Sequence, residues 1–223
     1  MAENVGKIIE KAKEICERLE RTSFHKIPKK NLSRMIDHTL LKPEAKESDI
    51  KRLLQEAIEN RFWGICIPQV YLPIVSQDAK KSGVKLITVV GFPLGYVSPE
   101  IKARETAWSA ERGADEIDMV IHVGKAKDQK FGELEKEIKK VVEAAGGKLV
   151  KVILETALLT DEEKVLSALA AKEAGAHFVK TSTGFGPGGA SIRDVVLLRT
   201  AVGEKMGVKA AGAVSYTHLT LPT

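Results

Sequence analysis

The chain has 223 residues, 43% of them hydrophobic and 5% aromatic, with 35 basic against 30 acidic side chains. That apolar fraction excludes a disordered segment, no apolar run approaches the ~18 residues of a membrane-spanning helix, and two cysteines cannot build a disulfide framework. Of the net charge of +5, +3 sits in residues 1–30, so neither the basic excess nor the sparse aromatics form a nucleic-acid surface. The start MAENVGKIIEKAKEI lacks the apolar core of a secretory leader; a cytoplasmic protein is expected, with neither nucleic acid nor membrane as partner.

Val5, Ile8, Ile9, Ala12, Ile15, Cys16 and Leu19 recur at helical spacing, with Lys and Glu opposite. They predict an amphipathic N-terminal helix that packs on its own domain, followed by a connector, the two together filling residues 1–30. From residue 31 onward, short Val/Ile-rich runs alternate with helical patterns. Strands are predicted at 34–38, 63–67, 85–91, 116–121, 149–155, 177–181 and 208–211. Ser98, Pro99 and Glu100 form a helix start: a capping hydroxyl, a proline at the first position and an acid in the first turn. Gly83, Gly113, Gly146 and Gly175 fall where helices should stop. Seven successive βα units mean a parallel sheet covered by helices. Residues 31–212 allot 26 residues to each unit, near the ~31 of a typical eight-unit barrel. A (β/α)8 TIM-barrel type is therefore favoured over an open doubly wound sheet, with functional residues at the C-terminal strand ends.

Lys180 lies at such an end, inside an apolar run, which fits equally an ammonium reaching solvent and a lysine at an active-site mouth. Lys209 holds the matching place on the next strand. Lowering a lysine from ~10.4 to ~7.4 takes about 4 kcal/mol, roughly what a second ammonium at ~4 Å supplies at an effective dielectric of ~20. One of the two amines could then be a nucleophile for Schiff-base chemistry. Asp118, surrounded by strand residues, is either a salt-bridged core aspartate or a proton carrier. Asp37 and His38 end the first strand, and alternation puts Lys151 and Glu155 on one face of the fifth; all four are read as supporting. The five histidines lack ligand spacing and neither cysteine has a CxxC partner, so no metal is expected. The loop Gly184-Phe185-Gly186-Pro187-Gly188-Gly189 matches GxGxxG, yet no acid follows at the end of the next strand and a proline removes a donor. A phosphate on the remaining amides is the better use than a dinucleotide. Cys66 reads as a small buried apolar residue, and Trp63 and Trp108 as core.

The motifs IDHTLLKP (36–43), TVVGFPLG (88–95), EIDMV (116–120), KVILET (151–156) and FVKTSTG (178–184) resemble, in order, those of the deoxyribose-phosphate aldolases. The resemblance covers residues 31–212. It implies a class I aldolase that cleaves 2-deoxy-D-ribose 5-phosphate reversibly to D-glyceraldehyde 3-phosphate and acetaldehyde without a cofactor. It also implies Lys180 as the Schiff-base lysine, Lys209 as the lysine that lowers its pKa, and Asp118 as the proton relay. Asp37, Lys151, Thr183, Gly184 and Gly212 are expected to bind substrate or support these three. After Gly212 the pattern departs. Residues 213–223 carry no Asp, Glu, Lys or Arg and resemble nothing in an eighth βα unit, so the barrel reads as truncated after strand seven. The competing readings are a non-catalytic remnant or binding protein, and another imine-forming aldolase or transaldolase. An amphipathic helix and an open sheet edge point to a homo-oligomer.

Overall fold

A computed structural model describes residues 2–21 and 32–212. The connector at 22–30 and the segment 213–223 lie outside the described residues. Helix α1 (Ala2–Glu20) comes first. Then follow β1 (Asp37–Thr39), α2 (Glu47–Glu59), β2 (Gly64–Ile67), α3 (Leu72–Ser82), β3 (Lys85–Val90), α4 (Pro99–Glu111) and β4 (Glu116–Val120). The chain continues through a short α5 (Val123–Lys127), α6 (Phe131–Ala144), β5 (Leu149–Ile153), α7 (Asp161–Glu173), β6 (Phe178–Lys180), α8 (Ile192–Val202) and β7 (Gly207–Lys209). All strand pairs are parallel and run in chain order from β1 to β7, so the sheet curls as a TIM-type barrel does. No helix among the described residues is long and apolar enough to cross a membrane.

The predicted strands fall in the right places, with their ends moved by local chemistry. Residues 33–35 form a 3-10 turn, closed by Ile36 N–H donating to Ser33 O, so β1 starts at Asp37. Strand β3 stops before Gly91, whose positive φ turns the chain and whose N–H goes to the Glu105 carboxylate. Strand β5 stops at Ile153 because Glu155 is left-handed.

The main core lies between the sheet's outer face and the helices. Ile65, Ile67, Leu86, Val90, Ile117, Met119, Val150, Val152 and Val179 pack there against residues such as Ile50, Leu54, Leu134, Ile138, Val165 and Leu198. Strand residues that are apolar on this face and different on the other follow directly from period-two alternation. Helix α1 lies across α7 and α8, and its Val5 and Ala12 are buried in the same core. The amphipathic stripe is therefore spent within the chain's own domain.

Helix α4 departs from the apolar rule. Its start is the predicted one, with the Ser98 hydroxyl accepting from Ile101 N–H. Its buried face, however, carries Lys102, Thr106 and Ser109. The Lys102 ammonium donates to Gly95 O at 2.6 Å, Val120 O at 2.7 Å and Glu137 Oε1 at 2.6 Å. Lys102 and Glu137 have no exposed side-chain surface. Burial pushes the lysine pKa down even with Glu137 beside it. This ammonium ties the loop after β3, the end of β4 and helix α6 together. Lys102→Met is expected to destabilise the fold by about 3 kcal/mol, because it takes the nearest cation from a buried carboxylate, leaving it His122 N–H and Lys125, and leaves two carbonyls without this donor. Lys102→Met with Glu137→Met should recover part of that loss, the two carbonyls remaining unmet. Urea unfolding of wild type, single and double variants checks both expectations.

Candidate active site

The inner face of the sheet divides into two halves. Cys66, Ile87 and Val89, from β2 and β3, pack with Leu41 and Phe92 into a small apolar cluster of their own. Facing them is a set of charges. Asp118, in the middle of β4, is 0% exposed. Its Oδ1 accepts from Lys151 Nζ at 2.8 Å and its Oδ2 from Lys180 Nζ at 2.7 Å. Register explains the meeting: Asp118 pairs with Lys151 across β4 and β5, and Lys180 stands one step up the barrel on β6. Lys151, 3% exposed, also lies 2.5 Å from Glu116 Oε2 and 3.5 Å from Asp37 Oδ2. Lys209 Nζ donates to Asp37 and so spans from β7 to β1.

Burial is the largest influence on Asp118 and works to raise its pKa, but Lys180 and Lys151 together outweigh it and hold the carboxyl at about 2. Burial pulls Lys151 down, whereas Asp118, Asp37 and Glu116 carry it above the ordinary lysine value. Lys180 follows the same pattern: burial pulls its amine down and Asp118 carries the net direction upward. The group that faces the Lys180 amine is thus Asp118, while Lys209 faces Asp37. Lys209 is in register with Lys180, but its amine is turned to Asp37 while that of Lys180 is turned to Asp118. Cys66 is buried and burial pushes its thiol up to about 12, which fits the inert reading.

The loop after β6 holds the other predicted residues. Gly184 (φ 85°) and Gly212 (φ 76°) meet backbone to backbone; a Cβ on Gly212 would lie 3.2 Å from the Gly184 nitrogen. Only glycine fits this approach. Thr183 is fully engaged: its N–H and hydroxyl both donate to Glu155 Oε2, and its Oγ1 accepts from Phe185 N–H. It braces the loop and offers no donor to a ligand. Phe185 is exposed and packs edge-on against Phe92, with ring centroids 5.3 Å apart, so the loop reaches the apolar half of the site.

Several sequence readings change. His38 lies away from the charge cluster, bonded to Glu56 Oε2 at 2.7 Å and packed on Phe62. Glu155 does not share the face of Lys151, because its φ of 57° breaks the alternation and swings the carboxylate to the β6 loop. Trp63 is not core: it is 41% exposed, and its indole N–H donates to Glu116 Oε1 at 2.8 Å. Trp108 is half-buried against the core, with the Arg112 guanidinium 4.0 Å from its ring centre. Glu116 itself was missed. It lies two residues before Asp118 on the same strand face, a signal alternation could have supplied; nothing local announces Trp63 as its partner. Among the described residues, no cluster of three or more His, Cys, Asp or Glu is placed to hold a metal ion.

A model of the DeoC/LacD family aldolases matches residues 32–219. The chain belongs to this family. It is an aldolase, a carbon–carbon lyase. Deoxyribose-phosphate aldolase from Streptococcus gordonii is 52% identical over 181 residues, 81% of this chain and 82% of that one. The enzyme of the same name from Enterococcus faecalis is 52% identical over 184 residues, covering 82% and 84%. Among solved structures, the tetrameric deoxyribose phosphate aldolase from Aeropyrum pernix superposes with a TM-score of 0.78 at 35% identity, over 92% of this chain and 83% of that one. The match to the family model runs past Gly212 into the segment set apart by its composition.

The aldolase's central carboxylate generates a test in acid. Its folded pKa, about 2, is below the 3.8 of an unperturbed aspartate, so the native state binds fewer protons than the unfolded chain. Its contribution is full above about pH 4 and is lost as pH falls towards 2. Between pH 5 and 2, wild type should lose about 2 kcal/mol more stability than Asp118→Asn, read by urea unfolding at each pH. Parallel curves for the two proteins would contradict it.

Proposed function

We propose that this aldolase cleaves 2-deoxy-D-ribose 5-phosphate reversibly to D-glyceraldehyde 3-phosphate and acetaldehyde through an imine on Lys180. The observation that carries the reading is the buried contact of 2.7 Å between the Lys180 amine and the Asp118 carboxylate at the barrel mouth. Support comes also from relatives at 52% identity that bear the name deoxyribose-phosphate aldolase.

The steps follow from the groups at hand. Lys180 passes a proton to Asp118, directly or through water, and its lone pair adds to C1 of the open-chain sugar. The carbonyl oxygen takes one proton from the adding nitrogen and a second from Asp118 and leaves as water, giving an iminium. As the C2–C3 bond breaks, its electron pair flows into the iminium. The C3 hydroxyl loses its proton and becomes the aldehyde of glyceraldehyde 3-phosphate. What remains on the enzyme is a neutral enamine instead of a bare carbanion. Protonation at C2 and hydrolysis then release acetaldehyde and restore the amine. Asp118 carries the protons, with Lys151 fixing its orientation. Once the proton has left Lys180, the positive charges of Lys151 and Lys209 disfavour its return. The backbone at Gly184 and Gly212 receives the phosphate, and Cys66, Val89 and Phe92 face the apolar end of the acetaldehyde fragment.

Acetaldehyde with borohydride should leave its reduced adduct on Lys180 alone, mapped by peptide mass spectrometry. Asp118→Asn should keep most of that trapping while turnover falls by 100-fold or more, the range that loss of a proton carrier produces. An adduct on Lys209 or Lys151, or near-normal turnover in Asp118→Asn, would reassign the roles.

Closure of the barrel is part of the proposal. Among the described residues β1 and β7 are not paired with each other, and the Lys209 to Asp37 contact spans them. Unpaired edges invite self-association, and the Aeropyrum pernix relative is tetrameric; a homo-oligomer is proposed here as well. Replacing residues 213–223 by a family-like eighth βα unit should raise deoxyribose 5-phosphate cleavage well above that of the chain as written, and shift the size distribution on gel filtration towards a single species. A chain that is already monomeric and fully active would overturn this part.

A further inference from the structure

We propose that Glu155 is a positioning residue, which holds the loop after β6 in the shape that presents its backbone to a phosphate; the role rests on the reading above. Alternation along β5 would aim this side chain into the barrel beside Lys151. Instead Glu155 is left-handed (φ 57°, ψ 62°), a conformation that is strained for a non-glycine residue and persists only where its surroundings demand it. The turn carries the carboxylate to the neighbouring loop, where the residue is 4% exposed. Oε2 accepts the Thr183 hydroxyl at 2.5 Å and the Thr183 N–H at 3.3 Å. The same hydroxyl oxygen accepts Phe185 N–H at 3.1 Å. Carboxylate, hydroxyl and amide thus fold residues 183–185 into one turn, with Gly184 at its bend.

Two further facts place the carboxylate under the loop as a fixed strut. Gly186 lies against it, and a Cβ there would sit 2.7 Å from the carboxyl carbon and 2.8 and 3.0 Å from its oxygens. Among the described residues Oε1 is buried without a hydrogen-bond partner, a cost that a group serving stability alone would shed. The strut is anchored behind as well: Thr156 N–H donates to Thr181 O at 2.9 Å, and Thr156 Oγ1 to Asp194 Oδ2 at 3.2 Å. With Thr183 tied down, the side-chain-free backbone where Gly184 meets Gly212 is left as the anion surface.

The test is a double-mutant cycle on the full chain, read by titrating inorganic phosphate against the amide resonances of Gly184 and Gly212. Wild type should bind. Glu155→Ala and Gly186→Ala should each weaken phosphate about 10-fold or more, the first by removing the strut and the second by displacing it. The double variant should be no worse than either single one, because the added methyl then has nothing to strike. Glu155→Gln, whose carbonyl can still accept from Thr183, should retain binding within about 2-fold, so the outcome does not hang on whether the alanine variant folds. With deoxyribose 5-phosphate the same variants should raise KM with kcat little changed, and acetaldehyde trapping on Lys180 should persist. Absence of phosphate binding in wild type, unchanged affinity in Glu155→Ala or Gly186→Ala, or additive losses in the double variant would overturn the proposal. Phosphate binding with the expected coupling, but no cleavage of deoxyribose 5-phosphate by wild type, would instead sink the substrate reading and leave the strut standing.

Discussion

The Asp118 carboxylate has no exposed surface and a lysine on each oxygen, and the inside of this barrel is arranged around that pairing. Lys151 takes one oxygen and Lys180 the other. Removing either lysine would leave a buried charge short of a partner, a far larger cost than any surface ion pair carries. The same contact sets the balance at Lys180, where burial works against the charged amine and Asp118 carries the net direction upward.

Charges of this kind spread because each must be balanced in turn. Lys151 cannot be satisfied by Asp118 alone, and Glu116 and Asp37 close around it. Asp37 then draws in Lys209 from the far edge of the sheet. Three anions and three cations occupy a region that most barrels fill with layers of aliphatic side chains. Apolar side chains gather on the inner face of β2 and β3, around Cys66, Ile87 and Val89, with Val120 and Ile153 buried beyond Asp118 and Lys151 on β4 and β5. The inside of the barrel thus has a side where charges are paired and a side lined by apolar groups.

The loops above the strands are held from below by buried polar side chains that serve backbone instead of substrate. Lys102 fastens the loop after β3 by bonding a carbonyl in that loop and another at the end of β4. Glu155 does the corresponding work for the loop after β6 through Thr183. Both are longer-reaching than a cap or a turn residue, and both place a polar group where stability alone would favour an apolar one. Their usefulness lies in rigidity: a loop tied at its base presents its amides in one arrangement.

Much of this was legible in the chain. Alternating apolar runs and helical stripes dictated seven parallel strands under helices, the ends of β6 and β7 singled out Lys180 and Lys209, and an acid inside the β4 run singled out Asp118, because period-two alternation and barrel geometry are local rules that survive translation into three dimensions. Only the tertiary structure decided who meets whom. Which carboxylate each lysine takes depends on register and stagger between strands tens of residues apart, so Lys209 turned to Asp37 and left Lys180 to Asp118. The Lys102 to Glu137 pair and the indole of Trp63 on Glu116 have no sequence pattern, since helices α4 and α6, or strands β2 and β4, acquire their mutual geometry only when the sheet has curled. Glu155 shows the limit most clearly. Alternation aimed it into the barrel, and a single backbone dihedral, fixed by a threonine 28 residues further along the chain, sent it elsewhere.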